Sequence, residues 1–183
     1  MPDNQPALEQ IALLRRLRAI RQFRPDPVPD QAVVAILAVA RWSGSASNRQ
    51  PWELIVIRNS ETLHALATAG GTAPHLAGAP LGIVLVMAGE EGAATREAFD
   101  EGRLSERIML AADAFGVGSC IGWFSGGSEK AAKRILGVPD ERVLRTAISL
   151  GYADEQARAG MPRRPQPRKP LAAIVSYERY GQR

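Results

Sequence analysis

The sequence predicts an α+β fold in which helices flank a mixed β-sheet. Three observations carry this. Apolar segments of strand length, residues 52–58, 81–88 and 144–152, alternate unevenly with segments of helical periodicity. Residues 81–88 offer no polar face, as expected of a strand covered on both sides. Between them, residues 94–115 place Leu104, Ile108, Ala111 or Ala112, and Phe115 at helical spacing, which marks the longest helix.

Taken in chain order, a first helix is expected over residues 7–19, with Ile11, Leu14 and Leu17 or Arg18 along one side. Residues 24–29 (Arg-Pro-Asp-Pro-Val-Pro) are extended, because each proline fixes its own φ and biases its predecessor. Asp30 is the expected cap of a second helix that aligns Val33, Val34, Leu37 and Ala40. A polar loop of small residues, 43–51, runs into the strand at 52–58, and a third helix starts near Glu61. Gly116 and Gly118 end the long helix. A short apolar segment at 120–124 closes on Gly126 and Gly127, and a helix at 128–136 precedes the strand at 144–152. A proline-rich stretch then leads to a last expected strand at 171–175. One domain, 1–183, is the expectation, with 157–183 as a C-terminal arm that has little to bury by itself.

Composition narrows the class. Hydrophobic residues make up 45 % of the 183 residues and charged residues 23 %, so a folded soluble chain is expected rather than a disordered one. A single cysteine, Cys120, cannot form an internal disulfide, and there is no signal-peptide pattern, so a reducing cytoplasmic setting is expected. No apolar run approaches the ~20 residues of a membrane span. The net charge of +4 is unevenly spread. Arginines crowd residues 15–24 and, with a lysine, 158–169, whereas acids crowd residues 90–106. Solvated basic ends account for this pattern, and so does a phosphate gripped by both ends; charge alone leaves both open.

Two local patterns sharpen the phosphate reading. Arg18 and Arg21 are three residues apart, so at the end of a helix they would share a face and converge on one anion. The same pair also suits a plain helix C-terminus, which favours cations. Ser45-Ala46-Ser47-Asn48-Arg49-Gln50-Pro51-Trp52 offers hydroxyls and amides suited to a flat heterocycle, although a turn before a core tryptophan needs the same residues.

In order along the chain, these patterns resemble the flavin-dependent nitroreductase family. The match runs through Arg18-x-x-Arg21-x-Phe23, Pro27-Val28-Pro29, Ser45-x-x-Asn48-x-Gln50-Pro51-Trp52, Gly116-Val117-Gly118-Ser119-Cys120 and Arg168-Lys169-Pro170-Leu171, closing on Tyr177–Gly181. The resemblance implies a homodimer with FMN at the subunit interface and a C-terminal arm reaching over the partner. It implies FMN contacts from Arg18, Ala19, Arg21 and Arg168, with Ser45, Ala46 and Asn48 facing the neighbouring subunit's flavin. Ile121, Gly122 and Trp123 match the segment against the isoalloxazine. NADH or NADPH would reduce the flavin, and a nitroaromatic, quinone or similar small molecule would reoxidise it, in a ping-pong cycle that needs no side chain as acid or base. No catalytic residue is therefore nominated.

This chain departs from the family pattern at three points. Ala19 stands where Ser is usual, Leu17 where a base is frequent, and Gly44 where Pro usually precedes the loop serine, which is expected to loosen the loop. His64 and His75 have no partners at ligand spacing, so no metal site is expected. A Rossmann glycine motif and a nucleophile elbow are absent from the sequence. Two other functions remain as alternatives: a specialised flavin enzyme acting on its own flavin or a defined metabolite, and a basic nucleic-acid-binding module. The second has no recognisable motif and only 5 % aromatic residues, so no nucleic-acid partner is expected.

Overall fold

A computed structural model describes residues 5–160 and 167–183. Helix α1 (Gln5–Arg16) is followed by α2 (Asp30–Ala40), strand β1 (Trp52–Ile57), α3 (Ser60–Thr68) and β2 (Leu81–Met87). The long helix α4 (Ala94–Ala114) leads to β3 (Gly118–Trp123), α5 (Gly127–Leu136), β4 (Val143–Gly151) and α6 (Glu155–Ala159). In the arm, α7 spans Leu171–Ile174.

The four strands pair antiparallel in the order β1-β2-β4-β3, with Leu54 opposite Leu85, Ile83 opposite Ile148, and Ile148 in turn opposite Ile121. The parallel component is a single bridge, Ala19 to Ser119, at the β3 edge. Strand β2 is buried at every position, as its sequence requires. One face packs Leu81, Ile83 and Leu85 against Val33 and Ile36 of α2 and Leu104 and Ile108 of α4. The other packs Val84 and Val86 with Leu63 and Leu66 of α3 and Ala132 of α5. The sheet is thus the middle of three layers.

Four local expectations change. The first helix stops at Arg16, because the chain beyond it adds to the sheet edge: Ile20 N–H donates to the Ser119 carbonyl at 2.8 Å, and Arg24 N–H to that of Tyr152 at 2.9 Å. Arg18 and Arg21 therefore lie on extended backbone and share no helical face. Asp30 is the first residue of α2, not its cap; its carboxylate pairs with Arg58 at 2.6 Å. The buried stripe of α2 runs through Ala32, Val33, Ile36 and Ala40, leaving Val34 exposed. Finally, residues 171–174 form a helical turn instead of a strand. Among the described residues this segment pairs with no strand, and Leu-Ala-Ala favours helix where no ladder is available.

The acidic run on α4 is not a solvated face. Glu97, Asp100 and Glu101 are buried among its apolar residues, and each holds a neighbouring segment. Glu97 accepts from Gly89 N–H and Glu90 N–H, Asp100 from Ala46 N–H at 3.2 Å, and Glu101 from the Arg145 guanidinium at 2.6 Å. Burial of these carboxylates is offset by hydrogen bonds to their charged form. Among the described residues, no helix is long and apolar enough to cross a membrane.

Candidate functional site

Where α1 gives way to the sheet edge, a cleft of about 590 Å³ opens between α1, α4, β3 and the arm. Leu14, Leu17, Ala19, Met109 and Ile121 give it an apolar lining. Arg15, Arg18 and Arg168 bring three guanidinium groups to it, with Glu106 as the carboxylate among them. Helix termination makes this possible. Arg18 folds back so that its Nη1 donates to the carbonyls of Arg15 and Leu17, each at 2.7 Å, and a cation suits the negative end of α1. Ser119 also lines the cleft, and its buried Oγ has no hydrogen-bond partner among the described residues. An orphaned hydroxyl beside three cations is what an anionic, oxygen-rich ligand would satisfy. Ser119 belongs to the motif quoted above, but only its unpaired burial distinguishes it, and no sequence signal reports that.

The expected site residues fall into three places. Arg18, Ala19, Ile121 and Arg168 meet in the cleft. Arg21 does not join them. Its charge is felt instead at Cys120 and His75. Burial pushes the Cys120 thiol up, with Arg21 opposing, so the sulfur stays protonated at neutral pH and is a poor nucleophile. Gly122 backs onto the same group: a Cβ there would stand 2.8 Å from the Ala73 Cα and 2.9 Å from His75 Nε2. Trp123 ends β3 half exposed, its N–H donating to Thr72 Oγ1 at 2.9 Å.

His75, dismissed above as a metal ligand, is a buried imidazole behind β3. Its Nδ1 lies 2.7 Å from Ser149 Oγ, and its Nε2 lacks a partner of good geometry. Burial, reinforced by the Arg21 charge, holds its pKa below the usual 6.5, against a smaller upward pull from the Ile121 and Thr72 carbonyls. The unfolded chain therefore takes up this proton first as pH falls. The contribution to stability is complete above about pH 6.5 and is lost as the pH drops toward the lower folded value. His75→Gln should cost about 1 kcal/mol at pH 7 through the Ser149 contact, yet lose less melting temperature than the natural protein between pH 7 and 5. Calorimetry at the two pH values checks this, and equal losses would refute it.

Ser45, Ala46 and Asn48 stand apart from the cleft, on a loop anchored to α4. Ala46 N–H is held by Asp100, and Ser45 Oγ accepts from Gln50 N–H at 2.8 Å. Ser47, Asn48 and Gln50 take φ values of 52°, 52° and 51°, a left-handed backbone that costs non-glycine residues on the order of 1 kcal/mol each. Strain of this kind tends to accumulate at ligand sites. The Arg103 guanidinium, the end of a flexible side chain, lies in the space that a Cβ at Gly44 would fill.

The model of the nitroreductase family matches residues 14–70 and 64–152. The chain belongs to the nitroreductase family. An NADH dehydrogenase of Thermus thermophilus is 27 % identical, with 96 % of this chain and 98 % of that protein aligned. Among solved structures, the FMN-dependent nitroreductase NfnB of Mycobacterium smegmatis, determined in complex with NADPH, superposes with a TM-score of 0.78. It is 25 % identical, with 97 % of this chain and 100 % of that one covered. An FMN-dependent nitroreductase of Clostridium difficile gives a TM-score of 0.71 at 26 % identity, covering 79 % and 87 %. The α+β architecture expected from the sequence is that of this family.

Proposed function

We propose that this protein is an FMN-dependent oxidoreductase that takes reducing equivalents from NADH or NADPH and passes them to a nitroaromatic, quinone or similar organic acceptor. The observation that carries the reading is the cleft. Three arginines at one largely apolar cleft, which an unpartnered serine also lines, fit a phosphate joined to an apolar ring system. Arg18 and Arg168 would hold the phosphate, and Ala19 and Ile121 would lie against the cofactor. Gly122 and Trp123 would border the ring where β3 ends. Ser45, Ala46 and Asn48 would meet the flavin of a partner subunit. When bound, the flavin supplies the hydride-accepting and electron-donating chemistry. The protein's part is to orient it, exclude water from one side and stabilise negative charge with cations and backbone N–H groups. Donor and acceptor would occupy the exposed side in turn, a ping-pong order. The molecule would be a single-domain homodimer in the cytoplasm.

Purified protein should be yellow, should bleach under anaerobic NADH or NADPH, and should regain colour when a nitroaromatic or quinone is added. A colourless protein that retards oligonucleotides would replace this reading with that of a basic nucleic-acid-binding module, the other class the arginine clusters allow.

A further inference from the structure

On α4, one turn before Glu106, Arg103 occupies the slot that Gly44 leaves open. Its guanidinium lies at the root of the Ser45–Asn48 loop, in space that a side chain at position 44 would fill. Two facts keep its charge available. The carboxylate paired with it, Asp100, stands 3.8 Å away and already accepts the Ala46 N–H. The Arg103 side chain is also 45 % exposed. The guanidinium sits 5.9 Å from the centre of the Phe99 ring, and Phe99 is itself largely exposed. Arg103, Phe99, Glu106 and Arg107 line an open groove of about 590 Å³, and Glu106 is shared with the arginine-lined cleft. The groove therefore adjoins the proposed flavin site, carries two cations against one carboxylate, and offers an aromatic face beside a guanidinium. A flat ring bearing a carboxylate complements all of these: the ring stacks on Phe99 and the acid pairs with Arg103.

We propose that Arg103 is a specificity-determining residue that draws carboxylated aromatic acceptors to the flavin site. The inference rests on the flavin reading above. Its test is the ratio of kcat/KM for 4-nitrobenzoate to that for the uncharged methyl ester, measured on flavin-loaded protein. In Arg103→Gln this acid-to-ester ratio should fall about tenfold, the factor equivalent to 1.4 kcal/mol. Arg103→Lys should recover part of it, since the charge returns without the planar fork. In the natural protein the ratio should decline with added salt, because the pair is partly exposed. A role confined to bracing the loop would move both acceptors together and leave the ratio unchanged; that result overturns the proposal. So does a shift in the NADPH-to-NADH preference with no change in the acid-to-ester ratio, because the cation would then be reading a nicotinamide phosphate. Flavin absorbance of the natural protein keeps the two readings separable. A yellow protein with an unmoved ratio sinks only the role of Arg103, whereas a colourless one sinks the flavin assignment beneath it.

Discussion

Arg18→Ala combined with Arg168→Ala is expected to weaken FMN binding by about two to four powers of ten while leaving the fold intact. The two residues come from opposite ends of the chain and meet in one cleft. A guanidinium–phosphate contact is charge-assisted, worth about 1.5–3 kcal/mol, so losing two removes about 3–6 kcal/mol, at 1.4 kcal/mol per decade of affinity. Neither side chain is buried in the core, so melting of the flavin-free protein should change little. Arg21→Ala is the informative comparison. It does not line the cleft, and its charge acts on Cys120 and His75, so its loss should cost less affinity and should relax the downward pull on His75. Flavin titration by fluorescence quenching measures all three variants. A double variant that purifies with full flavin would place the phosphate elsewhere.

Arg18 and Arg21 also show where the sequence could be read and where it could not. Their residue types and order were enough to signal an anion site, but the helical face they were expected to share does not exist. The backbone donors after Arg16 are drawn into hydrogen bonds with β3 and with Tyr152 just past β4, a tertiary pull that local periodicity cannot register. Strand β2 was legible because it is apolar without alternation and lies between two helical layers, whereas β3 read only as a short apolar segment. The turn at Leu171–Ile174 was not, since whether such a segment forms a strand depends on a neighbour that its own chain does not supply. Gly44 illustrates a third limit. A glycine before a loop suggests freedom, and nothing local reports that a guanidinium from a helix more than fifty residues away in sequence lies against this one. The places of Ser119 and His75 were illegible for a related reason: both stand out as buried groups with an unpaired atom, and burial without a partner is a property of packing.

Deleting everything after Gly160 should abolish tight dimerisation and flavin retention together. Residues 1–160 keep all four strands and both core clusters, and α6 stays capped by Asp154, whose own N–H donates to the Gln22 carbonyl. The shortened chain should therefore still fold. The deletion removes the arm, in which Leu171, Ile174, Tyr177 and Tyr180 are 74 %, 60 %, 68 % and 104 % exposed. Four large apolar or aromatic side chains clustered on one short segment are unusual on a solvated tail, and a second copy of the chain is the surface that would cover them. Arg168 leaves with them, so one cut takes away interface and cofactor ligand at once. Arg168→Ala in the full chain separates the two effects: flavin affinity should fall by about one to two powers of ten, the share of one charge-assisted contact, while the sedimentation coefficient stays that of a dimer. A free tail predicts the reverse for the deletion, a shortened protein as dimeric, as yellow and as heat-stable as the full chain. Sedimentation, flavin absorbance and melting temperature, measured on the three proteins side by side, distinguish an embracing arm from a tail, because only the arm couples assembly to flavin retention.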